Sequence, residues 1–240
     1  MTRILMILAC TCSLGLAQTA EDVMDKAAAA VGGEKVFENI KTTVMVGTMD
    51  MPQGIQANMT VYEKEGGKIL MEMNAEAPGM SIEMRQGCNG TDCYSQDTFS
   101  GMRLLEGQEK EALLLQNGIK SPLQWREIYQ SFELDGTEDV EGRKAYKVNL
   151  VSKDGMDLKN YYDTETYHLL RSDVKQQSVM GLVDMSVIYK DYKTTDEGVT
   201  YAQKAVTQVM GQSMTFNISE VTFNVPIPDS KFNLPTGLKN

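Results

Sequence analysis

Apolar and polar side chains alternate along four segments between residues 45 and 84. Prolines and glycines at 52–54, 66–67 and 78–79 separate these segments and are typical of turns. Because successive side chains of a strand point to opposite faces, the pattern predicts an antiparallel meander with one apolar and one solvated face. The apolar positions are Met45, Gly47, Met49, Met51, Ile55, Ala57, Met59, Val61, Ile69, Met71, Met73, Met80, Ile82 and Met84.

The rest of the chain adds more strands and a few helices. Three segments favour helices: 20–38, with a break at Gly32-Gly33; 106–116; and 122–129, with Ser121 as N-cap and Pro122 at the first position. The tail from 224 to 235 contains three prolines and is expected to be irregular. Seven further segments have the composition of strands: 132–140, 144–151, 158–163, 169–176, 183–192, 199–210 and 213–223.

These segments predict a mainly β protein (α+β) of about eleven strands. No linker or repeat divides residues 18–240, so we expect a single domain there. A sheet of this size must cover its apolar face, either by curling into a barrel or by receiving the helices as a lid. Such an interior is a natural site for an apolar ligand.

Methionine is the most unusual component of the apolar face. The chain has 17 Met, and eight of them lie between residues 45 and 84. Met is unbranched and polarisable, so a wall built from it can adapt to variable apolar cargo. A filled core and a thioether site for Cu(I) are the alternative interpretations. The predicted cavity lining is Met45, Met49, Met59, Met71, Met73, Ile82 and Met84, with Leu113, Leu114 and Trp125 as lid residues.

The first 17 residues are typical of a secretory signal. Arg3 precedes an apolar run that is too short to span a bilayer, and Ala17 suits cleavage before Gln18. The alternative is a lipoprotein signal in which Cys10 is lipidated. Export of the chain to the periplasm is the expectation in the first case, and anchoring to the outer membrane in the second.

Removal of the signal leaves two cysteines, Cys88 and Cys93, which bracket Asn89-Gly90. An even pair in an exported protein around such a turn predicts a structural disulfide across a hairpin. The alternatives are a redox-active pair, which lacks the usual CxxC spacing, and a metal site, for which no nearby His or Cys supplies further ligands.

The charge and the motifs narrow the function classes. With 33 Asp+Glu against 23 Lys+Arg, the net charge of −10 argues against nucleic-acid binding. The only His is His168, which excludes a His-rich metal site and leaves a single candidate base for a catalytic triad. The sequence contains no nucleophile elbow, P-loop or dinucleotide fingerprint. We predict no catalytic residue, no metal and no cofactor.

The order of several short motifs resembles the LolA/LolB-like superfamily of periplasmic lipoprotein-sorting carriers. The motifs lie at 29–37, 101–109, 161–171, 189–198 and 224–235, so that they span nearly the whole mature chain. The resemblance implies an incomplete antiparallel β-barrel that helices close over a hydrophobic cavity for acyl chains or other lipids. No arginine of this sequence matches the strand arginine with which lipoprotein chaperones of the superfamily hold their lid.

Three functional hypotheses follow. The first is a monomeric periplasmic carrier of lipid-like cargo, such as lipoprotein acyl chains, that acts in outer-membrane biogenesis with envelope membrane proteins as possible partners. The second is a non-catalytic envelope interaction or sensor module with a filled core. The third is a hydrolase that uses His168.

Overall fold

The computed structural model describes residues 18–116, 122–178 and 181–238. The signal segment with Cys10 lies outside these residues. Thirteen strands form one antiparallel sheet in the order β6-β5-β4-β3-β2-β1-β13-β12-β11-β10-β9-β8-β7. The strands are β1 Thr42–Asp50, β2 Gln56–Lys64, β3 Lys68–Ala77, β4 Met80–Asn89, β5 Cys93–Asp97, β6 Gly101–Leu105, β7 Tyr129–Val140, β8 Arg143–Ser152, β9 Asp157–Asp163, β10 Leu169–Ser178, β11 Gly181–Thr194, β12 Thr200–Val209 and β13 Gln212–Phe223. The helices are α1 Ala20–Ala30, α2 Gly33–Phe37, α3 Gly107–Gln116 and α4 Trp125–Ile128, with 3-10 turns at Pro52–Gly54 and Asp229–Phe232.

The helix predicted over residues 20–38 divides where the glycines stand. Thr19 caps α1: its hydroxyl accepts from the Asp22 N–H at 3.1 Å, and its own N–H donates to the Asp22 carboxylate at 3.1 Å. Gly32 then has a φ of 133°, which favours glycine, and a Cβ there would lie 3.0 Å from the Gly198 carbonyl oxygen. The chain therefore turns at Gly32 and restarts as α2.

The predicted start of the last helix was wrong. Helix α4 begins at Trp125 rather than at Pro122, and the predicted cap Ser121 lies outside the described residues. Pro122 and Leu123 form a turn instead, and Leu123 packs against the cluster formed by Phe37, Ile40 and Val199.

The register of the strands defines two faces of the sheet. On one face, a lateral row across β1 to β6 consists of Thr43, Glu63, Ile69, Cys88, Cys93 and Leu105, and Leu113 of α3 packs on its end. We call this the helix face, because α1, α2 and α4 also pack on it. On the opposite face, the C-terminal tail lies over Leu70 and Tyr94 through Ile227 and Phe232, and we call it the tail face.

The sheet is open and strongly curled. Strands β6 and β10 are nine positions apart, a distance of about 43 Å in a flat sheet. Yet α3, which directly follows β6 and is about 15 Å long, lies against β10. The sheet must therefore curl until β6 approaches β10, while β6 and β7 remain its edges. This confirms the predicted incomplete barrel with helices on its inner, helix face. Strands β5 and β6 are additions to the predicted eleven.

Apolar side chains are exposed at one end of the half-barrel, where the turns β1–β2, β3–β4, β5–β6 and β12–β13 and the start of β11 lie. We call this end the mouth. Met80, Phe99, Leu182 and Met210 lie there with exposed fractions of 42%, 70%, 62% and 62%. Among the described residues, no helix has the length and the apolar composition needed to cross a bilayer.

Candidate functional site: the interior of the half-barrel

The predicted methionine lining lies on the helix face. Three lateral rows carry it across β1 to β4, and we call them the methionine wall: Met45, Val61 and Met71; Met59, Met73 and Met84; Met49, Ala57, Ala75 and Ile82. The seven predicted lining residues that belong to strands therefore all lie on one face, as their alternation in the sequence predicted.

The methionine wall is packed in part and open in part. Met59 and Met73 are buried, with exposed fractions of 5% and 7%, whereas Met45, Met49 and Met71 are half-buried. The same half-burial continues on the helix face of the neighbouring strands, which carry Val221, Ile218 and Phe216 on β13, Ala205 on β12, and Val187 and Tyr189 on β11.

These half-buried residues outline an unfilled strip, which we call the hollow. Buried clusters stand on both sides of it: α1 and α4 pack on β7 to β9, and α3 packs on β4 to β6. Between these clusters, Ala205 separates Tyr189 from Phe216, and its short side chain leaves room above β12. The hollow is a half-buried apolar surface between these clusters, and α3 also contacts β10 on its far side.

The three predicted lid residues lie on opposite sides of the interior. Leu113 and Leu114 pack over Cys88, Cys93 and Leu105 at one edge of the sheet. Trp125 is buried against α1 and β8, and its ring meets that of Phe132 edge-on at 4.9 Å. Trp125 therefore fills the interior beside β7 and β8, on the side opposite the leucines.

The predicted disulfide is confirmed. Cys88 and Cys93 are joined with an S–S distance of 2.00 Å, and both are buried. The Asn89 side chain accepts from the N–H groups of Thr91 and Asp92, each at 2.9 Å, and thereby forms the turn. The bond anchors the surface on which α3 packs.

A second wall was missed by the sequence reasoning. Four tyrosines on the β7 to β11 side of the hollow are close enough to affect one another's pKa: Tyr129, Tyr162, Tyr189 and Tyr192. We call them the tyrosine wall. Burial raises the pKa of Tyr129 and Tyr189 to about 12, and it raises the pKa of Tyr162 and Tyr192 as well.

Tyr189 shows that this wall borders the hollow. It lies beside Ala205 of β12, which in turn lies beside Phe216 of β13, so Tyr189 belongs to the same row of the helix face as these two residues of the hollow. The signal in the sequence was a concentration of tyrosine: eight of the ten lie between residues 129 and 201.

Asn160 adds an amide to the tyrosine wall. It lies two residues before Tyr162 on β9, so both side chains point to the helix face. Its Nδ2 donates to the Tyr162 hydroxyl at 3.0 Å, whereas its buried Oδ1 has no hydrogen-bond partner within the described residues.

Glu63 is the acidic group on the helix face of β2. It is 5% exposed, and burial raises the pKa of its carboxyl to about 8. No hydrogen bond or ion pair of this carboxyl lies within the described residues. Glu63 is therefore largely protonated at neutral pH, which suits an apolar interior.

His168 stacks on Tyr192 with ring centroids 4.2 Å apart and donates to the Ala30 carbonyl. Burial lowers its pKa, so that its ring is neutral at pH 7. These contacts fasten the end of α1 to the sheet. In the described part of the chain, no hydroxyl or thiol is hydrogen-bonded to the His168 ring, and no group of three or more His, Cys, Asp or Glu side chains is placed to hold a metal ion.

A groove of about 1100 Å³ crosses β8 to β13 near the mouth. Three rows of residues that run across these strands border it. Two of the rows point to the face opposite the helices; one of these contains Lys159, Asp173 and Ser186, which are neighbours across β9, β10 and β11. None of the ten predicted lining and lid residues, all of them in the described chain, borders this groove. Its third row, which includes Leu158, Val174 and Met185, lies on the helix face.

The chain matches no family model and no curated protein sequence. Its fold does match solved structures. A DUF1329 family protein from Desulfovibrio piger is 15% identical with a TM-score of 0.61, and the match covers 89% of this chain and 97% of that one.

Two further structures carry the comparison. An outer membrane lipoprotein-sorting protein domain from Vibrio parahaemolyticus is 13% identical, with a TM-score of 0.58 and coverage of 88% and 95%. A LolA superfamily protein from Nitrosomonas europaea is 13% identical, with a TM-score of 0.57 and coverage of 91% and 99%. The fold of this chain is therefore LolA-like, as the resemblance in its sequence implied.

Proposed function

We propose that this protein binds lipid-like cargo in the hollow and carries it within the cell envelope. The observation that carries the proposal is the half-buried apolar strip between the methionine and tyrosine walls. An acyl chain of a dozen methylenes would contribute on the order of 10 kcal/mol by burial there, before the costs of ordering. Retention of cargo then requires no covalent chemistry.

The mouth is the proposed entrance. Phe99 and Met210 stand on separate turn tips at this end with most of their side chains exposed. The net charge of −10 disfavours docking on anionic head groups, so contact with a lipid surface would depend on these apolar tips. Cargo would pass between them into the hollow.

The proposed location is the periplasm, and the proposed unit is a monomeric domain of residues 18–240. The predicted signal segment supports export, and the Cys88–Cys93 bond fits an oxidising compartment. The lipoprotein-sorting and LolA superfamily structures have the same fold, which agrees with cargo such as lipoprotein acyl chains or another lipid.

Mass spectrometry on protein purified gently from its own envelope tests this function. We expect a lipid or lipopeptide at about one per chain in the native spectrum, released by organic extraction. The intact mass also shows whether the chain begins at Gln18 or at a lipidated Cys10. Protein that carries no lipid and refuses acyl probes would contradict the proposal.

The contrary result would favour a non-catalytic interaction module. One observation supports that alternative: Trp125 and α1 already fill the interior beside β7 to β9. Crosslinking in the envelope should then capture a protein partner.

A further inference from the structure

The tyrosine wall contains hydrogen-bonding groups that the protein itself leaves unused. Asn160 is 6% exposed, and its Oδ1 has no partner among the described residues. Buried polar atoms are nearly always paired, because an unpaired one loses its hydration without replacement. A buried amide oxygen beside the hollow is thus suited to a donor from outside the chain.

The neighbouring hydroxyls are also available. Within the described residues, the hydroxyls of Tyr129 and Tyr189 form no hydrogen bond, whereas that of Tyr192 donates to the Leu169 carbonyl at 2.7 Å. The Tyr162 hydroxyl accepts from Asn160 and keeps its own proton for a further contact. Burial keeps all of these hydroxyls protonated at neutral pH, so they act as uncharged donors and acceptors.

Charged groups are nearly absent from this wall. In the part of the chain that the structure describes, the titration of Tyr129, Tyr162 and Tyr189 is affected only by burial, by other tyrosines and by Asn160. Of the four tyrosines of the wall, only Tyr192 is influenced by a charged side chain, that of Arg143. A buried anion would therefore meet no cation here to compensate for its lost hydration.

We propose that Asn160, Tyr162 and Tyr189 form a head-group site that selects uncharged lipids carrying a hydroxyl or an amide. A hydroxyl head group donates to Asn160 Oδ1 and accepts from Tyr189, while its alkyl chain lies over Ala205 and Phe216 toward the methionine wall. A carboxylate cannot donate to Oδ1 and remains unpaired as a charge. The inference rests on the proposed function, because it needs the hollow to admit an alkyl chain.

Three ligands with the same chain length test the site: dodecanol, dodecanoate and dodecane. Each displaces the uncharged fluorophore N-phenyl-1-naphthylamine from the full mature chain at pH 8, where dodecanoate is ionised. We expect dodecanol to bind at least about tenfold more tightly than either of the others, the effect of one or two hydrogen bonds.

Three variants show whether Asn160 and Tyr189 cause the difference in affinity between these ligands. Asn160→Leu and Tyr189→Phe should each weaken dodecanol binding about five- to tenfold and leave dodecane unchanged. Tyr161→Phe is the matched control: Tyr161 is the buried neighbour of Tyr162 on β9, but it faces the other way, with Arg171 3.8 Å over its ring. This control should bind all three ligands like the unmodified chain. Tyr189→Phe removes a single oxygen, so it keeps the test valid if Asn160→Leu fails to fold.

The outcomes separate the two proposals. Equal binding of dodecanol and dodecanoate, or a Tyr189→Phe variant that distinguishes the ligands as before, would overturn the head-group site and leave lipid binding intact. A chain that binds neither the fluorophore nor any of the three ligands would overturn the proposed function and this inference together.

Discussion

Arg126 on α4 holds Asp25 on α1 through two parallel hydrogen bonds, Nη1 to Oδ1 at 2.7 Å and Nη2 to Oδ2 at 2.8 Å. The guanidinium also lies 3.9 Å from the centre of the Trp125 ring. One side chain thus ties together two helices that are 101 residues apart and that close one side of the hollow.

Loss of this ion pair should speed the dissociation of a bound alkyl ligand and lower the stability of the fold only slightly. Both side chains are about half exposed, so Arg126→Gln should lower the Tm only slightly. We expect dissociation of an alkyl ligand to become about two- to fivefold faster, the range typical of one exposed ion pair. Stopped-flow displacement of a bound fluorophore measures it. Arg85→Gln, which breaks an ion pair on β4, is the control and should leave the rate unchanged.

Glu63 should make the protein less stable as the pH rises. Burial raises its pKa to about 8 in the folded chain, above the usual carboxyl value, so the folded state holds a proton that the unfolded state releases. The free energy of unfolding should therefore fall between about pH 5 and pH 8, by on the order of 4 kcal/mol in total. Urea unfolding at a series of pH values measures this slope.

The variant Glu63→Gln should flatten that pH dependence, since it carries no proton to release. Glu76→Gln, at an exposed position on neighbouring β3, should keep the slope of the unmodified chain. Parallel slopes for the unmodified chain and Glu63→Gln would show that Glu63 is ionised in the folded state.

A polar side chain in the methionine wall should weaken the binding of an apolar ligand. Met71 is half-buried on the helix face, so Met71→Gln keeps the shape of the side chain and places an amide where an alkyl chain would lie. We expect affinity for an alkyl ligand to fall about fivefold, the effect of about 1 kcal/mol of lost apolar contact. Titration calorimetry measures this change.

Met102 supplies the matched control, because it is a half-buried methionine on the other face, where its methyl group lies near Gly237 of the tail. Met102→Gln should bind the ligand like the unmodified chain. An equal loss in both variants would assign the effect to general destabilisation.

Removal of the disulfide should weaken the support of α3. Replacing both Cys88 and Cys93 with Ala frees a short loop in the unfolded chain, which costs about 2 kcal/mol on the loop-entropy model. For a domain of this size, that corresponds to a fall in Tm of about 4–8 °C. Calorimetric scans with and without a reductant measure the change, and the reductant should have no effect on the Ala variant.

The sequence specified local features well. The period of two placed Met49, Met59 and Met71 on one face, because that face is buried and one residue of slippage would reverse it. The break predicted at Gly32-Gly33 gave the end of α1, which stops at Ala30. Strands β5 and β6 were not predicted, because each is only five residues long and polar residues interrupt its apolar positions: Ser95 and Gln96 in β5, and Arg103 in β6.

The tyrosine wall could not be found by local reasoning. Tyr129, Tyr162 and Tyr189 belong to β7, β9 and β11, and only the order of the strands in the sheet brings them together. Likewise, the start of α4 depends on Leu123, whose apolar partners lie on α2 and beside β12. In both cases, the deciding contact lies far away in the sequence.

Residues 106–128 join the two edge strands of the sheet, since β6 ends at Leu105 and β7 begins at Tyr129. This connection sets an upper limit on how far the edges can move apart. The ten residues of α3 span about 15 Å as a helix and about 33 Å when extended. Unwinding α3 would therefore lengthen the connection by about 18 Å without breaking one hydrogen bond between strands. The stability of a single short helix therefore limits how far the two edges of the half-barrel can separate.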